Sequence, residues 1–330
     1  MSLGPRIVRC AALWFLQAYG GMGIITIMPK LLILSRDKDE YRRLIESARL
    51  PDLEIAPDPK ECDIVLGEPK LIRDTIPFLP SLKWVQSIYA GVEPLVDPGQ
   101  RRDYVLTNAR SVFGELMSEY VFGYLLFLEK KILQRMKSQE AKQWQRPESG
   151  MLRSKTIGLL GVGSIGSHLA GTAKHFGMTV KGFTRESEES VEVDQYFHGK
   201  DLLNFVDGLD YLVCILPRTK ETNQIVDKTV LEALPARAIF INVGRGNAVD
   251  ALALVEALNQ GKLAAAVLDV FEKEPLPADH PFWETSNLYM TFHTSAISYP
   301  EDLTKLFTEN YHLYIQGKPL KYQVDFERGY

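Results

Sequence analysis

Cysteine is scarce in this sequence, with Cys10, Cys62 and Cys214 the only three in 330 residues. None forms a Cys-x-x-Cys pair, and no cysteine–histidine spacing matches a zinc site, so no metal is expected. Cys214 lies in the apolar run Tyr211–Leu216 and reads as a small core residue rather than a nucleophile. This usage fits a reducing, cytoplasmic compartment. Excess positive charge is lacking as well. The net charge is −4, which gives no electrostatic footprint for a nucleic-acid partner. An anionic substrate must then find its positive charge in the site itself. No internal repeat or low-complexity tract stands out. One long uncharged run exists, the 20 residues between Arg9 and Lys30, and its length could span a bilayer. It is only weakly apolar, is broken by Gln17, Gly20, Gly21, Gly23 and Pro29, and is followed by no clean cleavage site. Residues 1–27 therefore read as an extension ahead of a start at Met28, with a targeting segment or a structured arm as the alternatives, and no membrane partner is expected.

What is present is a soluble globular composition, 45% hydrophobic and 24% charged, long enough for about two domains. Strand-like and helix-like runs alternate almost throughout, which predicts an α/β fold of two parallel-sheet domains. In the first, strands are expected at Leu31–Ser35, Ile64–Leu66, Trp84–Ile88 and Val105–Thr107, with a helix at Asp39–Ala48. Glu115–Gln139 reads as one long helix, buried in its first half and solvated at Lys130, Lys131, Arg135 and Lys137 in its second. Gln143–Arg153 is a polar connection, and a second unit runs from Thr156 to about Ser298. The closing helix Glu301–Gln316 is expected to pack back on the first unit. That makes a smaller, flavodoxin-like substrate domain of residues 28–125 and 299–330, discontinuous in sequence, and a Rossmann-type dinucleotide-binding domain of residues 126–298.

The strand Thr156–Leu160 leads into Gly161-Val162-Gly163-Ser164-Ile165-Gly166, a helix at Ser167–Phe176 and a second strand at Thr179–Phe183. Gly161 permits the tight turn, Gly163 lets backbone approach a pyrophosphate, and Gly166 allows close helix–strand contact. The helix N-terminus offers free N–H groups to the phosphates. A lone Gly-x-Gly-x-x-Gly says little; in this strand–turn–helix–strand context it predicts a dinucleotide. An NAD site usually carries an acidic residue at the end of the second strand. This one ends Thr184-Arg185, a pair suited to a 2′-phosphate, so NADPH is expected to be preferred, with NADH still used. Glu186, Glu188, Glu189, Glu192 and Asp194 follow and are read as facing solvent.

Ligands of open parallel sheets sit beyond the carboxyl ends of the strands. Three later strands, Ala238–Val243, Ala264–Val270 and Leu288–Phe292, bring Arg245, then Asp269 and Glu274, then His293 to one edge. Taken singly, a lone arginine is usually a surface ion pair and a lone histidine a packed or solvated ring, as assumed for His168, His175, His198, His280 and His312. Their convergence suits reduction of a 2-keto acid. His293 would donate the proton, Glu274 would keep the imidazole charged and oriented, and Arg245 would hold the substrate carboxylate and carbonyl with a planar fork.

These residues resemble the D-isomer-specific 2-hydroxyacid dehydrogenase family. The likeness runs from Met28 to Tyr330 and is carried by Lys155–Ala170, Cys214–Thr222, Ile241–Asp250, Ala266–Pro277, Thr291–Ser295 and Val324–Tyr330. The resemblance implies catalytic roles for Arg245, Glu274 and His293, and a nicotinamide contact for Asp269. It implies a substrate-carboxylate loop at Ala90, Gly91 and Val92, the last of four residues from Tyr89. It places Gly161, Gly163, Ser164, Ile165, Gly166, Thr184, Arg185, Leu216, Pro217, Thr219, Val243, Gly244 and Ser295 around the cofactor, and it implies a homodimer joined through the cofactor domain. Phe292 stands where members usually have proline, and Ala296 where glycine is common, which bears on substrate identity more than on the reaction. The glyoxylate/hydroxypyruvate reductase branch looks nearest. The alternative from another class is an NAD(H)-sensing, corepressor-like binding protein of the same fold, for which only residues 1–27 could supply a disordered tail.

Overall fold

The computed structural model describes residues 28–329. The extension 1–27, with Cys10, lies outside them. Among the described residues no helix is long and apolar enough to cross a membrane.

Two parallel sheets organise the chain. The first contains β1 (Lys30–Leu34), β2 (Glu54–Ile55), β3 (Ile64–Gly67), β4 (Trp84–Ser87) and β5 (Val105–Thr107), in the order β2-β1-β3-β4-β5. The second contains β6 (Thr156–Leu160), β7 (Thr179–Thr184), β8 (Gln195–His198), β9 (Tyr211–Cys214), β10 (Ile239–Asn242), β11 (Ala265–Leu268) and β12 (Leu288–Met290), in the order β12-β11-β10-β9-β6-β7-β8. These are the flavodoxin-like and Rossmann-type orders. The chain reverses direction across the second sheet between β6 and β9, which opens the crevice where a dinucleotide lies. Buried strands such as Tyr211–Cys214 and Ile239–Asn242, the latter apolar up to its last residue, carry apolar side chains on both faces because helices cover both.

The closing helix Pro300–Ile315 returns to the first sheet. Its Leu303, Phe307 and Tyr311 pack with Leu31, Ile64 and Trp84, and Phe307 stacks on Trp84 with ring centroids 5.1 Å apart.

The long helix read over 115–139 is two helices, Gly114–Glu129 and Ile132–Glu140. Lys131 between them is left-handed at φ 53°, which ends the first helix. The break lies where the apolar half runs out. Arg135 then caps the Lys130 carbonyl at 2.9 Å and reaches Pro147 O and Ser149 Oγ in the connection, while Lys130 Nζ meets Gly150 O at 2.8 Å. These bonds offset the roughly 1–2 kcal/mol cost of a left-handed non-glycine residue. Val121, Phe122 and Leu125 of the first helix pack on Ile157 and Leu159 of the second sheet. We propose that the division between domains falls at the head of this helix, ahead of residue 125.

Candidate active site

Gly161 follows β6 at φ +105°, a conformation that favours glycine, and its N–H is bonded to Phe183 O at 3.0 Å. A Cβ at Gly166 would run into Gly161 O, so Gly166 lets the helix approach the strand. A Cβ at Gly163 would meet no protein atom within 4 Å. Its neighbourhood is open in front of the helix Ser164–His175, which starts three residues earlier than expected from sequence. The turn therefore brings the first-turn N–H groups of Ile165 and Gly166 to an open cradle, which fits a pyrophosphate. Leu216 packs beside Gly161, and a Cβ at Gly244 would meet Leu216 backbone. The Pro217–Thr222 turn is held by Thr222 Oγ1, which donates to Pro217 O at 2.7 Å and accepts from Thr219 N at 2.9 Å.

At the end of β7 the geometry differs from the sequence reading. The Thr184 hydroxyl is buried and donates to Ser187 O at 2.7 Å, with His198 Nδ1 at 3.1 Å. In this structure its hydroxyl braces the turn. Arg185 is half-exposed, and its Nη2 lies 4.0 Å from Glu221 Oε2. Two members of the acidic run are tied elsewhere. Glu188 meets His198 Nε2 at 2.8 Å, and Asp194 holds Lys174 Nζ at 2.6 Å and Val180 N at 2.7 Å.

The parallel register of β10, β11 and β12 delivers Arg245, Asp269 and His293 to one edge. His293 Nδ1 lies 2.8 Å from Glu274 Oε2, and Glu274 Oε1 accepts the Phe271 N–H at 3.0 Å. His293 has a left-handed backbone at φ 57°, strain of about 1–3 kcal/mol that surrounding bonds must hold. Its N–H donates to Asp269 O at 2.7 Å. The fully buried Asp269 carboxylate accepts from Thr291 Oγ1 at 2.5 Å, Thr294 N at 2.8 Å and Ser295 N at 3.0 Å, and Tyr120 OH contacts Thr291 Oγ1 at 2.6 Å. In this structure Asp269 is the hub that shapes the His293 loop, and Tyr120 and Thr291 extend it. Neither was singled out from sequence, because they meet across 171 residues.

Val243 is buried behind Gly244 and Arg245. The buried Asn242 shapes that turn, donating from Nδ2 to Arg245 O at 3.0 Å and accepting Gly244 N at 3.1 Å. A Cβ on Gly246 would run into the backbone of Phe271 and Glu272, so the Arg245 loop rests on the loop that carries Glu274. Arg245 in turn reaches the first sheet's domain. A Cβ on Gly91 would collide with its Nη2, and its Nε donates to Glu93 Oε1 at 2.6 Å. Arg245 and the Ala90–Val92 loop, expected from sequence to face each other, are therefore in direct contact. Asn108 Nδ2 anchors Ala90 O at 2.9 Å and Ser298 Oγ anchors Ile88 O at 2.9 Å. The N–H groups of Ala90, Gly91 and Val92 have no acceptor among the described residues. Glu93, two residues past Gly91, is the Arg245 partner that sequence reading passed over.

The family model for the NAD binding domain of D-isomer specific 2-hydroxyacid dehydrogenases matches residues 122–295. A glyoxylate/hydroxypyruvate reductase A from Yersinia enterocolitica is 31% identical over 256 residues, 76% of this chain and 82% of that protein. Among solved structures, a D-isomer specific 2-hydroxyacid dehydrogenase family protein from Aeromonas salmonicida is 42% identical, with a TM-score of 0.86 over 91% of this chain and 99% of the other. A D-isomer specific 2-hydroxyacid dehydrogenase from Xanthobacter autotrophicus, solved with NADPH and MES, is 30% identical, with a TM-score of 0.84 over 92% and 100%.

Proposed function

Because the chain belongs to the D-isomer specific 2-hydroxyacid dehydrogenase family, and is thus an NAD(P)-dependent oxidoreductase, we propose that it reduces a small 2-keto acid of the glyoxylate/hydroxypyruvate kind to the D-2-hydroxy acid. The observation that carries the reading is the 2.8 Å pairing of His293 Nδ1 with Glu274, on a loop packed against the one that presents Arg245. NAD(P)H, when bound along the Gly161–Gly166 turn, supplies the hydride. With Nδ1 held by Glu274, the other ring nitrogen, Nε2, is the one that gives its proton to the oxygen developing charge on the substrate. Arg245 holds the carboxylate and polarises the carbonyl. The unpartnered N–H groups of Ala90, Gly91 and Val92 receive the carboxylate from the opposite side of the cleft. Closure of the two domains excludes water.

Arg185 at the end of β7, and the NADPH complex of the Xanthobacter relative, support NADPH as the preferred cofactor. The nicotinamide carboxamide falls to Asp269 and Ser295 at the carboxyl end of the sheet. The free, buried thiols of Cys62 and Cys214 support a cytoplasmic location, and the exposed Trp144 in the connection supports a homodimer, which sedimentation would test. The activity is tested by following NADPH and NADH oxidation with a panel of 2-keto acids. Steady turnover with glyoxylate or hydroxypyruvate is expected; none with any 2-keto acid would overturn the reading.

A further inference from the structure

The Glu93–Arg245 pair joins the two domains across 152 residues of sequence. The Arg245 guanidinium donates two bonds to protein, Nε to Glu93 Oε1 at 2.6 Å and Nη1 to Gly244 O at 2.7 Å. These fix the guanidinium plane and leave its Nη2 edge against Gly91. Glu93 opens the short helix Glu93–Val96, directly after Val92. The same turn therefore carries both the three unpartnered amides and the carboxylate that holds the arginine. We propose that Glu93 is a positioning residue that sets the Arg245 fork relative to the Ala90–Val92 amides, so that one substrate carboxylate can meet both. This rests on the reading of Arg245 as the substrate-binding cation.

Burial pushes the Glu93 carboxyl up, but the Arg245 charge and hydrogen bond, a backbone amide and nearby Arg218 outweigh it and hold it below the usual carboxylate range. The anchor is thus ionised at neutral pH. The geometry also separates this role from a simpler one. A carboxylate beside an anion site repels the anion, so if Glu93 were only a competitor for Arg245, its removal would tighten anion binding. If Glu93 positions the fork, its removal weakens binding.

The test uses the full chain saturated with NADPH and titrates oxalate, a non-reducible analogue of a 2-keto acid, by nicotinamide fluorescence. For Glu93→Ala, oxalate affinity is expected to fall by at least about tenfold, the scale of a lost charge-assisted hydrogen bond, with NADPH affinity within about twofold. The KM for the 2-keto acid should rise more than kcat falls. Glu93→Gln, which keeps an acceptor oxygen at the same reach, should recover part of the loss. Unchanged or tighter oxalate binding in Glu93→Ala overturns the proposal, as does failure of the unmodified enzyme to bind oxalate. If Glu93→Ala also loses NADPH, the isosteric Glu93→Gln decides by the same two affinities. Absence of turnover with every 2-keto acid would instead fell the functional reading, and the oxalate titration is read independently of it.

Discussion

Glu274 Oε2 lies 2.8 Å from His293 Nδ1 while its other oxygen accepts the Phe271 N–H at 3.0 Å. One carboxylate therefore fixes both the imidazole and the loop that carries it. His293→Ala is expected to lower turnover by at least about 10²-fold, the scale of a general acid, with NADPH affinity little changed. Glu274→Gln, which retains a hydrogen-bonding group without the charge, should fall between that variant and the unmodified enzyme. Near-normal turnover of His293→Ala in a steady-state assay would remove it from the acid role.

Asp269 should behave differently, because its work in this structure is largely structural. Its buried carboxylate takes bonds from Thr291, Thr294 and Ser295, and each donor left unpaired costs about 1–3 kcal/mol. Asp269→Ala is expected to cost roughly 2–5 kcal/mol of stability in urea unfolding, as well as activity. His293→Ala should leave stability nearly unchanged, since it keeps the Cβ and with it the left-handed strain and gives up only a partly exposed pair with Glu274. Equal stabilities of the two variants would contradict the hub.

The contrast shows what was legible in the sequence. The Gly161–Gly166 turn, the strand ends at Arg245 and His293 and the returning helix Pro300–Ile315 are written locally, in residue type and spacing, and the structure has them in place. Partners that meet across the fold are not. Glu93 reaches Arg245 from another domain, and Tyr120 reaches Thr291 from the long helix. The break at Lys131 was hidden because two lysines carry neither the glycine nor the proline that usually marks a helix end. Nor can the sequence show that the Ser187 carbonyl folds back onto the Thr184 hydroxyl.

Stability should fall at the acid end through Asp210. Its carboxylate ties Thr156 N at 2.9 Å, Arg237 Nε at 2.9 Å and Lys155 Nζ at 3.1 Å. Burial pushes its carboxyl up, yet these three partners outweigh burial and hold it below the usual aspartate range. A lowered folded pKa means the contribution is complete above the unfolded value of about 3.9 and is lost as pH falls toward and through the folded value. Asp210→Asn should therefore lower Tm at neutral pH, with the gap to the unmodified protein closing as pH drops through that window. A gap that is constant with pH would show that the loss is steric.

The cofactor preference rests on Arg185. Thr184 Oγ1 is engaged with Ser187 O in this structure, so a phosphate would have to compete for its proton. The guanidinium of Arg185 is the charged group at this strand end suited to pair with a 2′-phosphate. The acidic run weighs against it less than the sequence suggests, since Glu188 is bonded to His198 and Asp194 to Lys174. Glu221 is one competitor the structure adds, 4.0 Å from Arg185 Nη2, a separation at which an exposed pair contributes about 1 kcal/mol or less. A hydrogen bond to a charged group contributes roughly 1.5–3 kcal/mol, or about 10- to 150-fold in affinity, so the phosphate should win the arginine. Arg185→Ala is then expected to raise the NADPH Michaelis constant by about 10-fold or more and leave that for NADH nearly unchanged. Glu221→Gln should lower the NADPH constant modestly, and less so at high salt, where exposed charges are screened. A specificity constant for NADH equal to or above that for NADPH in the unmodified enzyme would mean that an acidic residue of the 186–189 run reaches the ribose.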